Sequence, residues 1–136
     1  MVNQNIKLED DGYCFVCGKN NREGLKINWT IAGKTTRAEF VPLKKFQGFK
    51  DILHGGIITS LLDEAMGRLA WIVYGNCISV EIEVRFIHPA KINEKLLITG
   101  EIVNTVKRII YARSEIKKED GTKIATATGK ILLLKA

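Results

Sequence analysis

A histidine, two glycines and an aspartate lie close together in the stretch HGGIITSLLDEAMGRLAW, which spans residues 54–71. An aspartate carboxylate is ionised at neutral pH and can accept a proton from water as a general base. Glycine amides in the first turn of a helix have no intrahelical partner, and without side chains they let an oxygen ligand approach closely. The stretch therefore holds the parts for attack of water on a carbonyl, with Asp63 as base and the Gly56 amide as oxyanion donor.

Helical geometry separates these two groups within one copy of the chain. At about 100° per residue, one half of the helix is apolar and predicted to face a sheet. Its members are Ile57, Ile58, Leu61, Leu62, Ala65, Met66 and Leu69. The opposite arc is small or polar and carries Thr59, Ser60, Asp63, Gly67 and Ala70. A slender ligand can approach this arc closely, so Gly55, Thr59 and Ser60 are candidate substrate contacts.

Gly56 and Asp63 are two helical turns apart, which is about 10.5 Å along the axis. Groups that act on one carbonyl must each come within about 3 Å of their target. Two antiparallel helices across a twofold axis would bring Gly56 of one copy to Asp63 of the other, which predicts a homodimer with shared sites. The competing explanations are structural: the glycines only ease a turn, and the carboxylate is solvated or satisfied at an interface.

Composition limits the class of protein. The 136 residues predict one domain, 1–136, and 46% hydrophobic with 26% charged residues is typical of a folded chain. The net charge of +6 favours an anionic partner: nucleic acid, a phosphorylated small molecule or a membrane surface. There is no apolar run of about 18 residues. The polar start MVNQNIKLED and the odd number of cysteines predict reduced thiols and a cytoplasmic location.

Hydrophobic periodicity predicts an α+β domain of two strands, one long helix and about four further strands. Residues 1–23 form a cysteine-containing N-terminal loop segment. Period-two patterns predict strands at 25–31, 35–41, 78–86, 95–106, 108–118 and 122–134, with a hairpin turn at 119–121. The helix is predicted from Gly56 to about Tyr74. Short connections make the later strands antiparallel neighbours.

Three stretches resemble the hotdog-fold thioesterase superfamily, and within it the group of phenylacetate-pathway (PaaI-like) acyl-CoA thioesterases. They are HGGIITSLLDEAMG, SVEIEVRFIHPAKINEKLLITGEIV and CFVCGKNNREGLKI. The resemblance implies a long central helix wrapped by an antiparallel sheet, assembly into homodimers or homotetramers, and hydrolysis of acyl-CoA without a cofactor or metal.

The resemblance also assigns roles to residues. Asp63 matches the catalytic acid, as general base or nucleophile, and Gly56 matches the amide donor that polarises the thioester carbonyl. His54 matches the motif histidine that shapes the site. Ser79 matches a residue that assists the water, and Gln47 resembles an upstream Gln or Asn near the site. The basic residues proposed to contact CoA phosphates are Arg85, Lys95, Lys107 and Arg108, with a solvated basic surface as the alternative.

Other interpretations are weaker. The pair Cys14 and Cys17 suggests zinc or redox chemistry, but a zinc site needs four ligands, and Cys77, His54 and His88 lack the usual paired spacing. We therefore expect no metal.

The sequence also argues against nucleic-acid binding, because basic residues are not interleaved with stacking aromatics. A hotdog dehydratase and a non-catalytic acyl-CoA binding or sensing protein are the alternative functions. The acyl group and the choice between dimer and tetramer stay open.

Overall fold

Strands and helix follow the hydrophobic patterns closely in the computed structural model of the chain, which describes residues 5–135. The strands are β1 Thr30–Ala32, β2 Thr35–Phe40, β3 Cys77–Phe86, β4 Leu96–Val106, β5 Ile109–Lys118 and β6 Lys123–Leu133. The helix α1 is Gly55–Tyr74, and a short 3-10 helix covers Lys44–Phe46. The prediction of two strands, one long helix and four strands is confirmed.

The six strands form one sheet in the order β1-β2-β4-β5-β6-β3, and every neighbouring pair is antiparallel. Tight turns join β4 to β5 and β5 to β6; the second turn includes Gly121 at φ 90°, a conformation that favours glycine. Helix α1 connects β2 to β3, which is the edge strand on the far side of the sheet. Within the described residues no helix is long and apolar enough to cross a membrane.

Helix α1 lies against the sheet and supplies the centre of the core. Its buried residues are Ile58, Leu61, Leu62, Ala65, Met66, Leu69 and Ala70. The contact with β4 is close, because a Cβ placed on Gly100 would lie 2.8 Å from the Ala65 carbonyl oxygen. The buried Ser114 of β5 donates a 2.9 Å hydrogen bond to the Leu62 carbonyl, so its hydroxyl is satisfied. These contacts fix the rotation of the helix and therefore the direction of its remaining face.

The structure differs from the predicted helix faces at two residues. Ala70, placed by helical spacing on the arc open to ligand, is fully buried, while Ile57 on the predicted core side is only partly buried. Towards the C-terminus of α1 the consecutive residues Leu69 and Ala70 are both fully buried, so the core contacts a wider arc there than the spacing predicts. At the start of the helix, Gly55 and Ile57 are only partly buried and Gly56 is exposed, so the core covers less of the first turn.

The predicted first strand at 25–31 is mostly wrong. Only Thr30–Ala32 pairs with β2, and the preceding residues bond elsewhere. The amides of Leu25 and Ile27 each donate a 2.8 Å hydrogen bond to the carbonyls of Phe15 and Val16. Leu25 and Ile27 are buried. The alternation in the sequence thus reflects packing beneath the N-terminal segment rather than membership of the sheet.

Strand β3 contains an irregularity that a period-two pattern does not predict. Its pairing with β6 shifts register between Ser79 and Glu81, so Val80 is an extra residue, and its side chain is 42% exposed. A bulge of this kind lets residues an odd number of positions apart face the same side of a sheet. Ser79 and Ile82 accordingly both face the helix and core.

Candidate active site

His54 caps the N-terminus of α1. Its Nδ1 accepts a 2.8 Å hydrogen bond from the Gly56 amide, and its carbonyl accepts the amide of Ile57 at 3.0 Å. The cap satisfies amides that the first helical turn leaves without partners. In this conformation the Gly56 amide, predicted to hold a substrate oxygen, is bonded to His54. An oxygen that takes this amide must therefore displace the imidazole nitrogen or share the hydrogen with it.

The two positions after His54 have little space for a side chain, which fits glycine at both. A Cβ on Gly56 would lie 3.0 Å from His54 Nδ1, and a Cβ on Gly55 would lie 3.4 Å from the Phe86 ring. A larger residue at 56 would push the imidazole out of its capping position. The paired glycines thus keep the helix start accessible and the histidine in place.

Gln47 belongs to the loop that precedes the helix and lies against its start. The backbone pairs Gln47 with Leu53, and the Gln47 Oε1 accepts a 3.0 Å hydrogen bond from the Asp51 amide. Asp51 has φ 63°, so this side-chain bond supports a strained turn. The neighbouring Gly48 lies beside His54, where an added Cβ would be 3.4 Å from the histidine Cα. Gln47 therefore shapes the loop beside the helix N-terminus.

Asp63 and Ser79 meet between the helix and the edge strand. The Ser79 hydroxyl donates a 2.8 Å hydrogen bond to Asp63 Oδ1, and both residues are partly buried. Gly67, one turn further along α1, lies beside this contact, and a Cβ there would be in ordinary van der Waals contact with Ser79 Oγ at 3.6 Å. Because the serine proton points at the carboxylate, the serine oxygen can still accept a hydrogen bond from water. The pair can therefore hold and deprotonate a water molecule.

A cavity of about 630 Å³ opens beside this pair. Helix α1 and the start of β3 form one wall, and the N-terminal segment forms the other. The lining residues are Leu8, Glu9, Asp10, Asp11, Tyr13, Cys14, Cys17, Asp63, Glu64, Gly67, Arg68, Trp71, Cys77, Ile78 and Ser79. Neither His54, Gly56 nor Gln47 lines it. Within the described residues of one copy, the two halves of the predicted site stay apart.

In the N-terminal wall, the Cys14 and Cys17 pair meets a helix carboxylate that the sequence did not indicate. Cys14 Sγ donates to Glu64 Oε2 at 3.3 Å, and Cys17 lies beside both. Burial, and then the Glu64 carboxylate, raise the pKa of the Cys17 thiol. Burial alone raises the pKa of Cys77 to about 11. Glu64 meets Cys14 across 50 positions of sequence, so spacing offered no signal for this contact.

The predicted phosphate-binding residues lie away from the Asp63 cavity. Lys95 pairs with Glu39 at 3.1 Å, and the Arg108 Nη1 donates to the Leu133 carbonyl at 3.2 Å. Lys107 occupies the β4–β5 turn with φ 56°. Arg85 lines a second concavity of about 980 Å³, formed by strand residues of both charges. None of the four lines the cavity at Asp63 in the described part of one chain.

Thr59 and Ser60 use their hydroxyls within the helix. They donate 2.9 Å hydrogen bonds to the carbonyls of Gly55 and Gly56, respectively. Both side chains are partly buried. Since each hydroxyl proton is already donated, what these residues present to a ligand is a small surface with an acceptor oxygen.

Comparison with known proteins adds a family match. The sequence profile of the thioesterase superfamily matches residues 50–125, more than half of the chain, from just before α1 into β6. An uncharacterised protein of Schizosaccharomyces pombe is 28% identical over 96 residues, which cover 67% of this chain and 53% of that protein. The chain thus spans about half the length of this curated relative.

Three solved structures share the fold. A thioesterase superfamily protein superposes with a TM-score of 0.81 at 21% identity, covering 89% of this chain and 60% of its own. Escherichia coli PaaI, from the phenylacetic acid degradation operon, gives 0.77 at 17% identity over 82% of each chain. A Streptococcus pneumoniae thioesterase solved with coenzyme A gives 0.75 at 14% identity, covering 81% of this chain and 91% of its own. These likenesses confirm the predicted helix-and-sheet architecture.

Proposed function

The chain belongs to the thioesterase superfamily, and on this premise we propose that it is an acyl-CoA thioesterase that releases a free carboxylic acid and CoA. The observation that carries the proposal is the hydrogen bond between Ser79 and Asp63 at the wall of a cavity. The fold of this chain is similar to that of a thioesterase solved with coenzyme A, which supports a CoA thioester as the substrate.

In the proposed reaction, Asp63 acts as general base. It takes a proton from a water molecule while the water oxygen forms a bond to the thioester carbonyl carbon. Ser79 holds Asp63 in position and orients the water. When the tetrahedral intermediate collapses, the carbon–sulfur bond breaks and the proton returns to the CoA thiolate. In the alternative role, Asp63 attacks the carbonyl itself, the carbon–sulfur bond breaks and CoA leaves as the thiolate. Water then hydrolyses the anhydride, which releases the carboxylic acid, regenerates the Asp63 carboxylate and supplies the proton for the thiolate.

The predicted donor to the carbonyl oxygen, the Gly56 amide, does not line the Asp63 cavity of its own copy within residues 5–135. We propose that the Gly56 amide of a second copy supplies this donor, so that the protein works as a homodimer or a homotetramer built from dimers. One well-placed donor of this kind contributes about 3 kcal/mol to transition-state stabilisation. The amide now donates its hydrogen bond to His54 Nδ1, and it must leave or share this acceptor to donate to the oxyanion. Gln47 supports the loop beside it.

CoA phosphates are proposed to bind basic side chains at the rim of the shared site. Arg85, Lys107 and Arg108 are exposed, and Arg85 carries no ion pair among residues 5–135. Lys95 would have to release Glu39 to take part. The slender part of the substrate would pass the small residues at the helix start, Gly55, Thr59 and Ser60.

The test is thiol release from a panel of aryl, short-chain and medium-chain acyl-CoAs. We expect the wild type to hydrolyse some of them, and Asp63→Asn to lose at least about a hundredfold in rate, because it keeps the size and removes the base. Glu83→Gln, an exposed acid on β3, is the matched control and should retain the rate. Equal rates for wild type and Asp63→Asn would place the site elsewhere. Binding of acyl-CoA without thiol release would make the protein a non-catalytic binder.

A further inference from the structure

The turn Cys14–Gly18 holds two sulfur atoms on the same side. The Cys17 amide donates to Cys14 Sγ at 3.5 Å, and the Gly18 amide donates to the Cys14 carbonyl at 2.8 Å. A Cβ on Gly18 would lie 2.4 Å from the Cys14 backbone nitrogen, so only glycine fits there. An amide directed at sulfur stabilises the negative charge of a thiolate. The turn is therefore rigid and suited to carry sulfur ligands.

Glu64 brings a carboxylate to these sulfurs from the helix. Its Oε2 lies 3.3 Å from Cys14 Sγ, and the side chain is partly buried. Arg68, one turn later and in a position to pair with Glu64, instead binds Asp10 at 2.9 Å and stacks over Trp71. Among residues 5–135 no ion pair neutralises Glu64. A partly buried carboxylate beside two thiols lacks a cation.

We propose that Cys14, Cys17 and Glu64 bind a zinc ion. The two sulfurs and one carboxylate oxygen lie within 4.8 Å of one another. Around a tetrahedral zinc, ordinary bond lengths place sulfurs about 3.8 Å apart and a sulfur about 3.5 Å from an oxygen. The sulfurs therefore need to approach each other by about 1.0 Å at most, and a sulfur and the oxygen by about 1.3 Å at most. Water from the adjoining cavity completes the fourth position.

Binding changes the protonation of the cluster. Each thiol loses its proton to the buffer as its bond to zinc forms, so zinc uptake releases about two protons. Sulfur, in preference to oxygen alone, selects zinc over magnesium or calcium. The sequence predicted no metal because no further ligands with the usual spacing accompany Cys14 and Cys17. In the structure, Glu64 supplies a third ligand from 50 positions away in the sequence.

The ion fastens the N-terminal segment to the helix residue next to Asp63. Residues 8–17 form the outer wall of the Asp63 cavity. Zinc would link that wall to α1 through two bonds to the cysteine sulfurs of the N-terminal segment and one bond to the Glu64 carboxylate of the helix. Its role is to hold this wall, and the proposal is independent of whether the cavity hydrolyses a thioester.

The test uses the full chain, reduced and stripped of metal with a chelator, then titrated with Zn²⁺ and separately with Co²⁺. We expect one ion per chain, with about two protons released per zinc in calorimetry across buffers. Bound Co²⁺ should show thiolate-to-metal charge-transfer absorption, a signature of sulfur ligation that needs no variant. Cys14→Ser and Cys17→Ser should each reduce this absorption by at least about half, because each removes one of the two thiolates, and Glu64→Gln should weaken binding by at least about tenfold.

Cys77→Ala is the matched control, because it removes a thiol outside the cluster. It should bind cobalt like the wild type, and circular dichroism should show each variant folded. The proposal is overturned if reduced protein takes up no stoichiometric metal, or if Cys77→Ala and Cys14→Ser bind equally. It is also overturned if mild oxidation joins Cys14 to Cys17, with a mass lower by two hydrogens, while reduced protein binds no metal. The pair would then be a redox pair.

Discussion

Ser79, on the edge strand β3, donates a hydrogen bond of 2.8 Å to the Asp63 carboxylate on helix α1. The two residues are 16 positions apart and belong to different elements. A hydroxyl bonded in this way fixes the direction of the carboxylate and leaves an acceptor for water. The hydrogen bond ties the predicted base to the sheet, so the position of β3 at Ser79 helps to set the orientation of the carboxylate.

Replacing Ser79 with alanine should reduce the hydrolysis rate. A hydrogen bond to a charged group is worth about 1.5–3 kcal/mol, which corresponds to roughly a 10- to 100-fold loss in kcat. Ser79→Thr keeps the hydroxyl and should recover most of the rate. Steady-state kinetics with the best acyl-CoA of the panel measures both. Unchanged kcat in Ser79→Ala would remove Ser79 from the proposed mechanism.

Mixing two inactive variants should restore activity if the site is shared between copies. Asp63→Asn removes the base, and Gly56→Val crowds His54 Nδ1, which an added Cβ would approach to 3.0 Å. In a mixed dimer one site then has both an intact Asp63 and an intact Gly56. Random reassortment of equal amounts should give about a quarter of wild-type activity.

The readout is thiol release after the two variants are unfolded together and refolded. Each variant treated alone is the control and should stay inactive. If the mixture is as inactive as the separate variants, although mixed dimers form, then Gly56 and Asp63 act within one chain or Gly56 has no role.

Gly100→Ala should destabilise the fold with little else changed. The added methyl would lie 2.8 Å from the Ala65 carbonyl oxygen and 3.1 Å from Thr36 Cγ2, so helix and sheet must separate. Overpacking of this kind costs about 1–3 kcal/mol. Urea unfolding at fixed protein concentration measures the loss. Thr99→Ala, an exposed neighbour on the same strand, should change stability much less.

Asp10 should contribute pH-dependent stability. The Gly12 amide and then Arg68 lower its pKa in the folded protein below the ordinary value of 3.8. A carboxyl with a lowered folded-state pKa stabilises fully above its unfolded pKa and loses the effect as pH falls through the folded value. Asp10→Asn should therefore lower the unfolding midpoint at pH 6. The difference should vanish at a pH below the folded pKa. A constant difference across that range would contradict the assignment.

Cys77 should react slowly with alkylating reagents in the native protein. Burial raises its pKa from 9.0 to about 11, and its side chain is 6% exposed. At pH 8 the thiolate fraction falls about 100-fold from this shift alone. Mass spectrometry of iodoacetamide-treated protein should show Cys77 unmodified when native and modified in urea. Equal labelling in both states would mean that β3 opens at its start.

Much of the fold was predictable because long periodic segments carry strong signals. The helix follows from the repeated spacing of Leu61, Leu62, Ala65 and Met66, and the hairpins follow from strands joined by short turns. The segment at 25–29 failed for a physical reason: Leu25 and Ile27 alternate because they pack under the N-terminal loop, and alternation does not say which backbone a segment bonds to.

The candidate site was predictable only in part. Helical geometry identified Asp63 and Gly56 and their separation, while Ser79 and Gln47 came from the family resemblance. The Glu64–Cys14 contact spans 50 positions, and the His54 bond to the Gly56 amide depends on a rotamer. Neither contact can be predicted from the spacing of residues in the sequence, because long-range packing and side-chain rotamers are set by the folded chain as a whole.

The bulge at Val80 divides β3 into two stretches that can vary separately. Residues before it present Ser79 to the helix, and residues after it keep their own register with β6. Ser79 pairs with Ile131 and Glu81 with Lys130, so removal of Val80 would leave two ordinary consecutive pairs, and regular alternation would still direct Ser79 to the helix. The proposed water-binding pair therefore does not depend on the extra residue. Evolution or protein engineers could gain or lose a residue at this point of the edge strand without turning Ser79 away from Asp63.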